Sequence, residues 1–219
     1  LRKYSNREAA DYLQAALDRW ASFGSGPRPI GNGAPEQDPG VTEARLVEGL
    51  ARARQRVGEF DAAAELWQRR LRVAEQAGDF LGVAEARRGL GLIDYWRAEY
   101  LSALDHFQAG LDAARQAAND ARQVRMLLAR GDCLMEVGRP ADAHGEIGAA
   151  LRIAEATNRP DLLARVHLAL LLFHTWSGPP ESARHHRDQA VRIAEGLGNL
   201  GLSCAVHWGA SVFSGLTGD

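Results

Sequence analysis

The segment 56–79, RVGEFDAAAELWQRRLRVAEQAGD, decides the fold because the chain repeats its pattern. It begins with a glycine-marked turn, continues as an alanine-rich amphipathic run and ends at a second polar stop. The segments 96–120, 136–160 and 176–199 have the same pattern. The turn marker recurs every 40 residues, at Gly58, Ala98, Gly138, Gly178 and Gly218. Such a fixed period is typical of stacked structural repeats.

Each unit contains two helical segments. In the first, two apolar rows lie seven residues apart, on one helix face. The rows are Leu46, Ala86, Met126, Val166, Val206 and Ala53, Ile93, Cys133, Phe173, Phe213. A third row is small, with Gly49, Gly89, Ala129, Ala169 and Gly209, and allows close helix approach. The second segment places an alanine five residues past each marker, at Ala63, Ala103, Ala143 and Ala183.

The markers explain the chain reversals between the helices. Glycine reaches positive φ without penalty after a helix, and Pro140, Pro179 and Pro180 suit the start of the next one. Ala98 breaks the glycine rule, so we expect that turn to be built differently. Helix pairs of this kind bury their apolar faces only by stacking on the next pair. The sequence therefore predicts an all-α solenoid that functions through a long surface.

The repeated residues resemble the tetratricopeptide repeat (TPR) family. In the second full unit the family pattern is carried by Leu90, Gly91, Tyr100, Ala103, Phe107 and Leu111. The resemblance covers residues 42–219 and implies a right-handed α–α superhelix of antiparallel helix pairs. The common TPR unit has about 34 residues, so 40-residue units imply longer helices. HEAT repeats share the period but lack the alanine at the crossing position.

Units of this length look like those in the regulatory regions of bacterial signalling ATPases. That group includes maltose-regulon-type transcriptional activators and ATPase regions attached to kinases or nucleotide cyclases. The N-terminal YSNREAADYLQAALDRW is similar to a helix that follows the nucleotide-binding part of those ATPases, and Ser5 is placed to cap it. We therefore expect the chain to be a piece of a longer protein.

The expected organisation has three parts. Residues 1–21 form the second helix of a truncated repeat, and 22–41 form a Gly/Pro-rich loop, which is either disordered or functional. The solenoid follows, with units at about 42–79, 80–119, 120–159 and 160–199 and the first helix of a fifth at 200–219.

The composition indicates an ordinary globular chain. It has 219 residues, 46% of them apolar, and a net charge of −2, which gives no reason to expect nucleic acid or a membrane surface as partner. We expect Cys133 and Cys204 to be free buried thiols in a reducing bacterial cytoplasm. The scarcity of lysine beside arginine is associated with GC-rich bacterial genomes. No apolar run approaches the ~18 residues of a membrane span.

Patterns for catalysis, cofactors and metals are weak. Gly196, Gly198 and Gly201 match a dinucleotide-binding spacing but follow a predicted helix, so we interpret them as a turn. His167 and His207 share a repeat position, yet no third ligand for zinc is evident, and a core or interface role fits these histidines better. No serine has a patterned base. We predict no enzyme activity, no cofactor and no metal.

The first helices should line the groove of such a superhelix. The polar candidates on this face are Arg45, Glu48, Arg52, Glu85, Arg88, Arg125, Asp132 and Arg165, with Trp96 and Trp176 near the rim. Arginine and tryptophan dominate binding hot spots, and a mildly basic groove favours an acidic helix or extended peptide. The alternative is a solvated face with internal salt bridges. The asparagines of the carboxylate-clamp TPR set are lacking, which argues against chaperone-tail binding.

Two functions remain open. The first is a regulatory segment that binds a peptide, a protein, neighbouring domains of the same chain or a second copy of itself. The second is a small-molecule inducer sensor, which the apolar inner positions Leu92, Leu128, Leu168, Leu172 and Trp208 would support.

Overall fold

A computed structural model describes residues 2–22 and 39–218 of the chain. These residues form ten α-helices and no strand. The helices are α1 (Arg2–Ser22), α2 (Pro39–Val57), α3 (Phe60–Ala77), α4 (Phe80–Trp96), α5 (Tyr100–Gln116), α6 (Asp120–Glu136), α7 (Pro140–Ala156), α8 (Pro160–Ser177), α9 (Pro180–Leu197) and α10 (Leu200–Thr217).

The helices stack in sequence order as a TPR-like superhelix. Successive helices pack against each other, and α2, α4, α6, α8 and α10 also contact the next member of their own series. The helices α4, α6, α8 and α10 begin at residues 80, 120, 160 and 200, and the alternate helices begin at 60, 100, 140 and 180. The predicted all-α solenoid with a 40-residue period is confirmed. The expected loop 22–41 lies mostly outside the described residues, and α2 already begins at Pro39.

Left-handed residues close the turns at intervals of 20 residues. Positive φ angles occur at Gly58, Gly78, Ala98, Ala118, Gly138, Asn158, Gly198 and Gly218. Ala98 has φ 61°, like the glycine markers, so the expectation of a different turn there was wrong. Gly178 is the exception, with an extended φ of −137°, because Pro179 disfavours helical and related conformations in the residue before it.

Short polar side chains start three of the helices. Asp79, Asn119 and Asn199 each accept a hydrogen bond from the backbone N–H three residues later, at 2.8, 3.0 and 3.1 Å. These N-caps satisfy donors that the first turn of a helix leaves free. Pro140, Pro160 and Pro180 start α7, α8 and α9, where a missing N–H costs nothing.

Alanine and glycine positions let the helices approach closely. Ala63, Ala103, Ala143 and Ala183 are all fully buried, as their common place five residues after each marker predicts. Trp67 is only 1% exposed and lies against Gly89 of α4. The core is divided into successive clusters along the chain rather than one central mass. Each pair of helices therefore depends on its neighbours for burial.

The two cysteines differ in environment. Cys133 is fully buried in α6, as expected. Cys204 is exposed on α10, so the expectation of a second buried thiol was wrong. Position 204 follows the buried Leu202 by two residues, which places the two side chains on different faces of α10.

None of the described helices combines the length and apolar character that a membrane span needs.

The small-residue contact between Gly89 and Trp67 gives a stability prediction. A Cβ at position 89 would lie 2.3 Å from the indole, so Gly89→Ala should destabilise the chain by about 1–3 kcal/mol through overpacking. The matched control is Gly145→Ala in α7, where a Cβ meets nothing within 4 Å. That change should stabilise by up to about 1 kcal/mol through helix propensity. Urea unfolding measures both, and equal effects would contradict the close contact.

Candidate functional site: the inner groove

The inner groove is the surface formed by the first helices of the pairs, α2, α4, α6, α8 and α10. In a superhelix of stacked pairs these helices follow one another along the concave side. Residues 40 apart therefore form rows across the groove. One row contains Arg45, Glu85, Arg125, Arg165 and Ala205, and the next contains Glu48, Arg88, Leu128, Leu168 and Trp208. The groove is thus polar towards α2 and increasingly apolar towards α10.

Glu85 lies at the centre of an ion-pair network. Its carboxyl group is almost fully buried and accepts a hydrogen bond from Arg52 at 2.8 Å. Arg52 also pairs with Glu48 at 2.9 Å, and Arg122 of α6 pairs with the second oxygen of Glu85. The network therefore joins α2, α4 and α6 through one buried carboxylate.

Arg70 of α3 extends this network behind the groove. Its guanidinium donates to Glu48 at 2.9 Å and to Asp79 at 2.6 Å. Burial alone would raise the pKa of Asp79, but the hydrogen bonds from Arg70 and from the Gly82 N–H hold it below its usual value. Arg52, Arg70 and Arg122 are thus matched by the three carboxylates of Glu48, Asp79 and Glu85. The network is neutral as a whole.

Three further arginines lie beside the network without such a match. Arg88, Arg125 and Arg165 form no ion pair with any residue that the structure describes. Burial lowers the pKa of Arg88 to about 10, and repulsion from Arg125, Arg52 and Arg165 adds to the shift. The Nε of Arg165 is buried without a hydrogen-bond partner in the described part of the chain. We call these three residues the arginine row, although Arg88 lies one turn along α4 from the repeat position of Arg125 and Arg165. The arginine row is a site of positive charge without ion pairs.

Acidic groups lie further along α6. Asp132 keeps contact with solvent but lies among the groove helices, and desolvation there, followed by the charge of Glu136, raises the pKa of its carboxyl group to about 7. Burial, followed by Asp132 and Glu136, also raises the pKa of the Tyr95 hydroxyl above its usual value. The groove therefore separates positive from negative charge along the helices.

The remaining predicted residues lie at the groove margins. Trp96 and Trp176 are 66% and 64% exposed, and Arg45 is exposed without an ion pair among the described residues. A cavity of about 550 Å³ opens between α2 and α4, with Arg52, Arg88 and Trp96 in its wall. A larger depression of about 690 Å³ lies between α5 and α7, away from the predicted residues. The structure therefore brings some of the predicted residues together in the groove and leaves Arg45, Trp96 and Trp176 at its margins.

Two arginines of the ion-pair network were missed by sequence reasoning, as was Asp79. Arg122 occupies the repeat position of Gly82, Leu162 and Leu202, which are all buried. Arg70 occupies the position of Gly110, Ala150 and Ala190, which are also buried. A charged residue in an otherwise buried row needs a partner, so the 40-residue alignment contained the signal for both.

A histidine cluster lies on α7, α8 and α9. The Nδ1 atoms of His167 and His186 are 3.0 Å apart, and the ring of His174 stacks on that of His186. His144 and His185 complete the cluster. His207, which shares the repeat position of His167, is exposed on α10 and lies near Glu195. His167 contacts His186 because α8 packs against α9.

The cluster is electrostatically unfavourable for protonation. Burial lowers the pKa of His186 to about 4, and the charges of His167, His185, His174 and His144 add to this effect. The pKa of His167 is lowered by burial and by His185, against an opposing effect of Glu155. Among the described residues, no group of three or more His, Cys, Asp or Glu side chains is placed to hold a metal ion.

The fold and groove define a TPR-like helical-repeat superhelix. No protein-family model matches the sequence, and no curated protein matches it. The fold is similar to that of aspartyl phosphate phosphatase F from Bacillus subtilis, with a TM-score of 0.69 and 13% identity over 81% of this chain. The chain spans 46% of that protein's length.

Two other solved structures have similar folds. BtubC from P. vanneervenii has a TM-score of 0.65 and 20% identity, covering 89% of this chain and 75% of that one. A Rap protein in complex with the competence and sporulation factor has a TM-score of 0.66 and 13% identity, covering 98% and 68%. At these identities the similarity establishes the fold.

The ion-pair network predicts opposite effects for two substitutions. Glu85→Gln leaves Arg52 and Arg122 without their shared buried carboxylate and should cost on the order of 3 kcal/mol. Arg125→Gln removes only repulsion and should leave stability unchanged or slightly raised. Urea unfolding at pH 7 measures both, with the exposed Glu65→Gln on α3 as control. Loss of stability in Arg125→Gln would show that this arginine has a partner.

The histidine cluster predicts a pH dependence of stability. The folded pKa of His186 lies below the unfolded value of about 6.5, so the unfolded chain binds more protons as the pH falls from 6.5 towards 4. Stability should therefore decrease over this range. The free energy of unfolding of His186→Gln should decrease less between pH 7 and pH 5 than that of the unmodified chain. The free energy of unfolding of His207→Gln should change with pH as that of the unmodified chain does. Identical pH profiles for all three would contradict the predicted role of the cluster.

Proposed function

We propose that this chain is a non-catalytic regulatory segment that binds a peptide or protein in its inner groove. We further propose that it belongs to a larger bacterial signalling or transcription-regulating ATPase and acts in the cytoplasm. The arginine row carries the first part of this proposal. Arg88, Arg125 and Arg165 lie close together, and none of them forms an ion pair with a described residue, although Asp161 partly offsets the repulsion at Arg165.

Such an arrangement is costly for the isolated chain. Each half-buried guanidinium loses part of its hydration, and neighbouring positive charges repel. A ligand that supplies carboxylates would remove both penalties and gain charge-assisted hydrogen bonds. The unpartnered Nε of Arg165 is one donor that such a ligand would satisfy. An acidic peptide or protein segment is therefore the partner that the charge distribution supports best.

Proteins of similar fold support this proposal by analogy. One of them is a Rap protein in complex with the competence and sporulation factor. Another is the Rap conjugation gene regulator of the plasmid pLS20, in complex with the Phr* peptide, at 15% identity and a TM-score of 0.55. Neighbouring domains of the same chain, or a second copy, would present protein surface to the same groove.

The cysteine chemistry supports a non-catalytic role. Burial raises the pKa of the Cys133 thiol to about 12, and Asp132 and Glu136 add to the effect. The thiol therefore stays protonated and is a poor nucleophile. The association with an ATPase depends on the N-terminal segment, where Ser5, Asn6, Glu8 and Ala9 lie in α1.

A small-molecule inducer is the second candidate. The cavity between α2 and α4 has the size of a ligand pocket, and its wall combines Arg52 and Arg88 with aromatic rings. An anionic, partly apolar molecule would fit this composition. It would compete with a peptide only near α4, since Arg165 lies on α8.

The test is selection from a random peptide display library. The unmodified chain should select peptides enriched in Asp and Glu, with weaker binding at higher salt. Replacing Arg88, Arg125 and Arg165 together by glutamine should raise the dissociation constants of the selected peptides at least about tenfold. The reason is that a charge-assisted hydrogen bond contributes roughly 1.5–3 kcal/mol. Fluorescence anisotropy measures the dissociation constants.

The matched control replaces the exposed Arg115, Arg139 and Arg152 of α5–α7 by glutamine. This variant loses the same charge and should retain binding. Failure to select any peptide, or equal weakening by both triple variants, would contradict groove binding. Melting-point shifts with anionic metabolites that depend on Arg88 alone would favour the small-molecule candidate.

A further inference from the structure

The arginine row and the apolar surface that continues it define a spacing for the ligand. Arg125 and Arg165 occupy the same repeat position on α6 and α8, which approach each other to within 8 Å between Cα atoms. Helices in direct contact lie about 8–10 Å apart between axes. The two guanidiniums therefore arise from backbone positions about one helix spacing apart across the groove. The charge of Arg125 lowers the pKa of Arg165, as expected for two guanidiniums near each other.

The surface changes from basic to apolar at the next helix, α10. α10 contacts α8, and its residue at the position of Arg165 is Ala205. One turn further along α10 is Trp208, which is 61% exposed and shares the repeat position of Leu168. The adjacent Gly209 lies against Leu168 and Leu172 of α8. The three successive first helices α6, α8 and α10 thus offer a cation, a cation and an apolar surface in that order along the groove.

Peptide conformations differ in how well they match this interval. Polyproline II has three residues per turn and rises about 3.1 Å per residue, so side chains three apart share a face at about 9 Å. A β-strand places same-face side chains at about 6.6 or 13 Å. An α-helix places its neighbouring same-face side chains about 5–6 Å apart and matches the interval only across seven residues, at about 10.5 Å. Polyproline II fits the interval and uses every third residue.

The geometry points to a ligand segment in the polyproline II conformation that carries acidic, acidic and large apolar side chains at every third residue. The acidic pair contacts Arg125 and Arg165, and the apolar residue packs against Trp208 and Leu168. This inference rests on the proposed peptide-binding function and specifies its recognition motif. Charge complementarity favours this ligand over a uniformly apolar segment, since an apolar residue over the arginines would bury their charges further.

The experiment uses the full chain and synthetic peptides of fixed composition. A proline-rich host carries two glutamates separated by two, three, four or seven positions, with a leucine three residues beyond the pair on either side. An alanine-rich helical host carries the same glutamates seven apart. Titrations are followed by the NMR signals of the arginine Nε–H groups, which report directly on Arg125 and Arg165.

The expected result is tightest binding for the three-residue separation in the proline-rich host, by at least about fivefold over the other separations. Arg125→Gln combined with Arg165→Gln should abolish this preference, and Arg115→Gln should retain it. Replacing the leucine by glutamine should weaken binding to the unmodified chain but much less to Trp208→Ala.

Two outcomes would overturn the inference. Tightest binding by the helical host would assign a helical ligand, and equal binding at all separations would show that the arginines act only as diffuse charge. Both outcomes leave peptide binding itself intact. Absence of any groove signal, both with these peptides and with the library selection, would instead contradict the proposed function.

Discussion

Close approach of helices at alanine and glycine positions is the constraint on which the structure depends. Ala63, Ala103, Ala143 and Ala183 are fully buried at the same place in successive pairs. Because these side chains are small, the next helix comes near enough for large residues such as Trp67 and Phe107 to fill the space beside the seam. The constant length of the pairs keeps this contact in register. The rows across the groove exist only because the register holds.

Charge in the groove follows from the same register. The rows place residues 40 apart side by side. Charged residues at the same repeat position therefore form a line of like or opposite charges across the groove. Between α2 and α6 the result is a neutral network around Glu85. Beyond it, Arg88, Arg125 and Arg165 lie in the groove without an ion pair among the described residues. The residues that stabilise this surface thus differ from those that we propose to bind a ligand.

Sequence reasoning predicted the fold and its period because both follow from repeated spacing. It was less successful where the result depends on one local contact. The φ of Gly178 depends on Pro179, and the turn at Ala98 adopts a left-handed conformation that alanine normally avoids. His167 contacts His186 because α8 packs on α9, a contact that alignment of first helices alone does not reveal.

The site was predictable as a surface but not as a set of contacts. The row positions identified Arg52, Arg88, Arg125 and Arg165, since periodicity fixes which face a residue lies on. It does not fix which carboxylate a long side chain reaches. Arg70 and Arg122 were therefore missed, although each interrupts a row that is otherwise small or apolar and buried. Which partner a flexible charged side chain reaches can be seen only in the structure.

Contacts among the described helices join only partners one or two apart in sequence. A deformation of the molecule is therefore distributed as small rotations at many successive seams rather than concentrated in one hinge. The pitch of such a superhelix changes through small adjustments at each interface between pairs, while each helix pair keeps its own structure. A ligand held between α6 and α8 would change the seam between these two helices, and a small rotation there would move the two ends of the superhelix relative to each other.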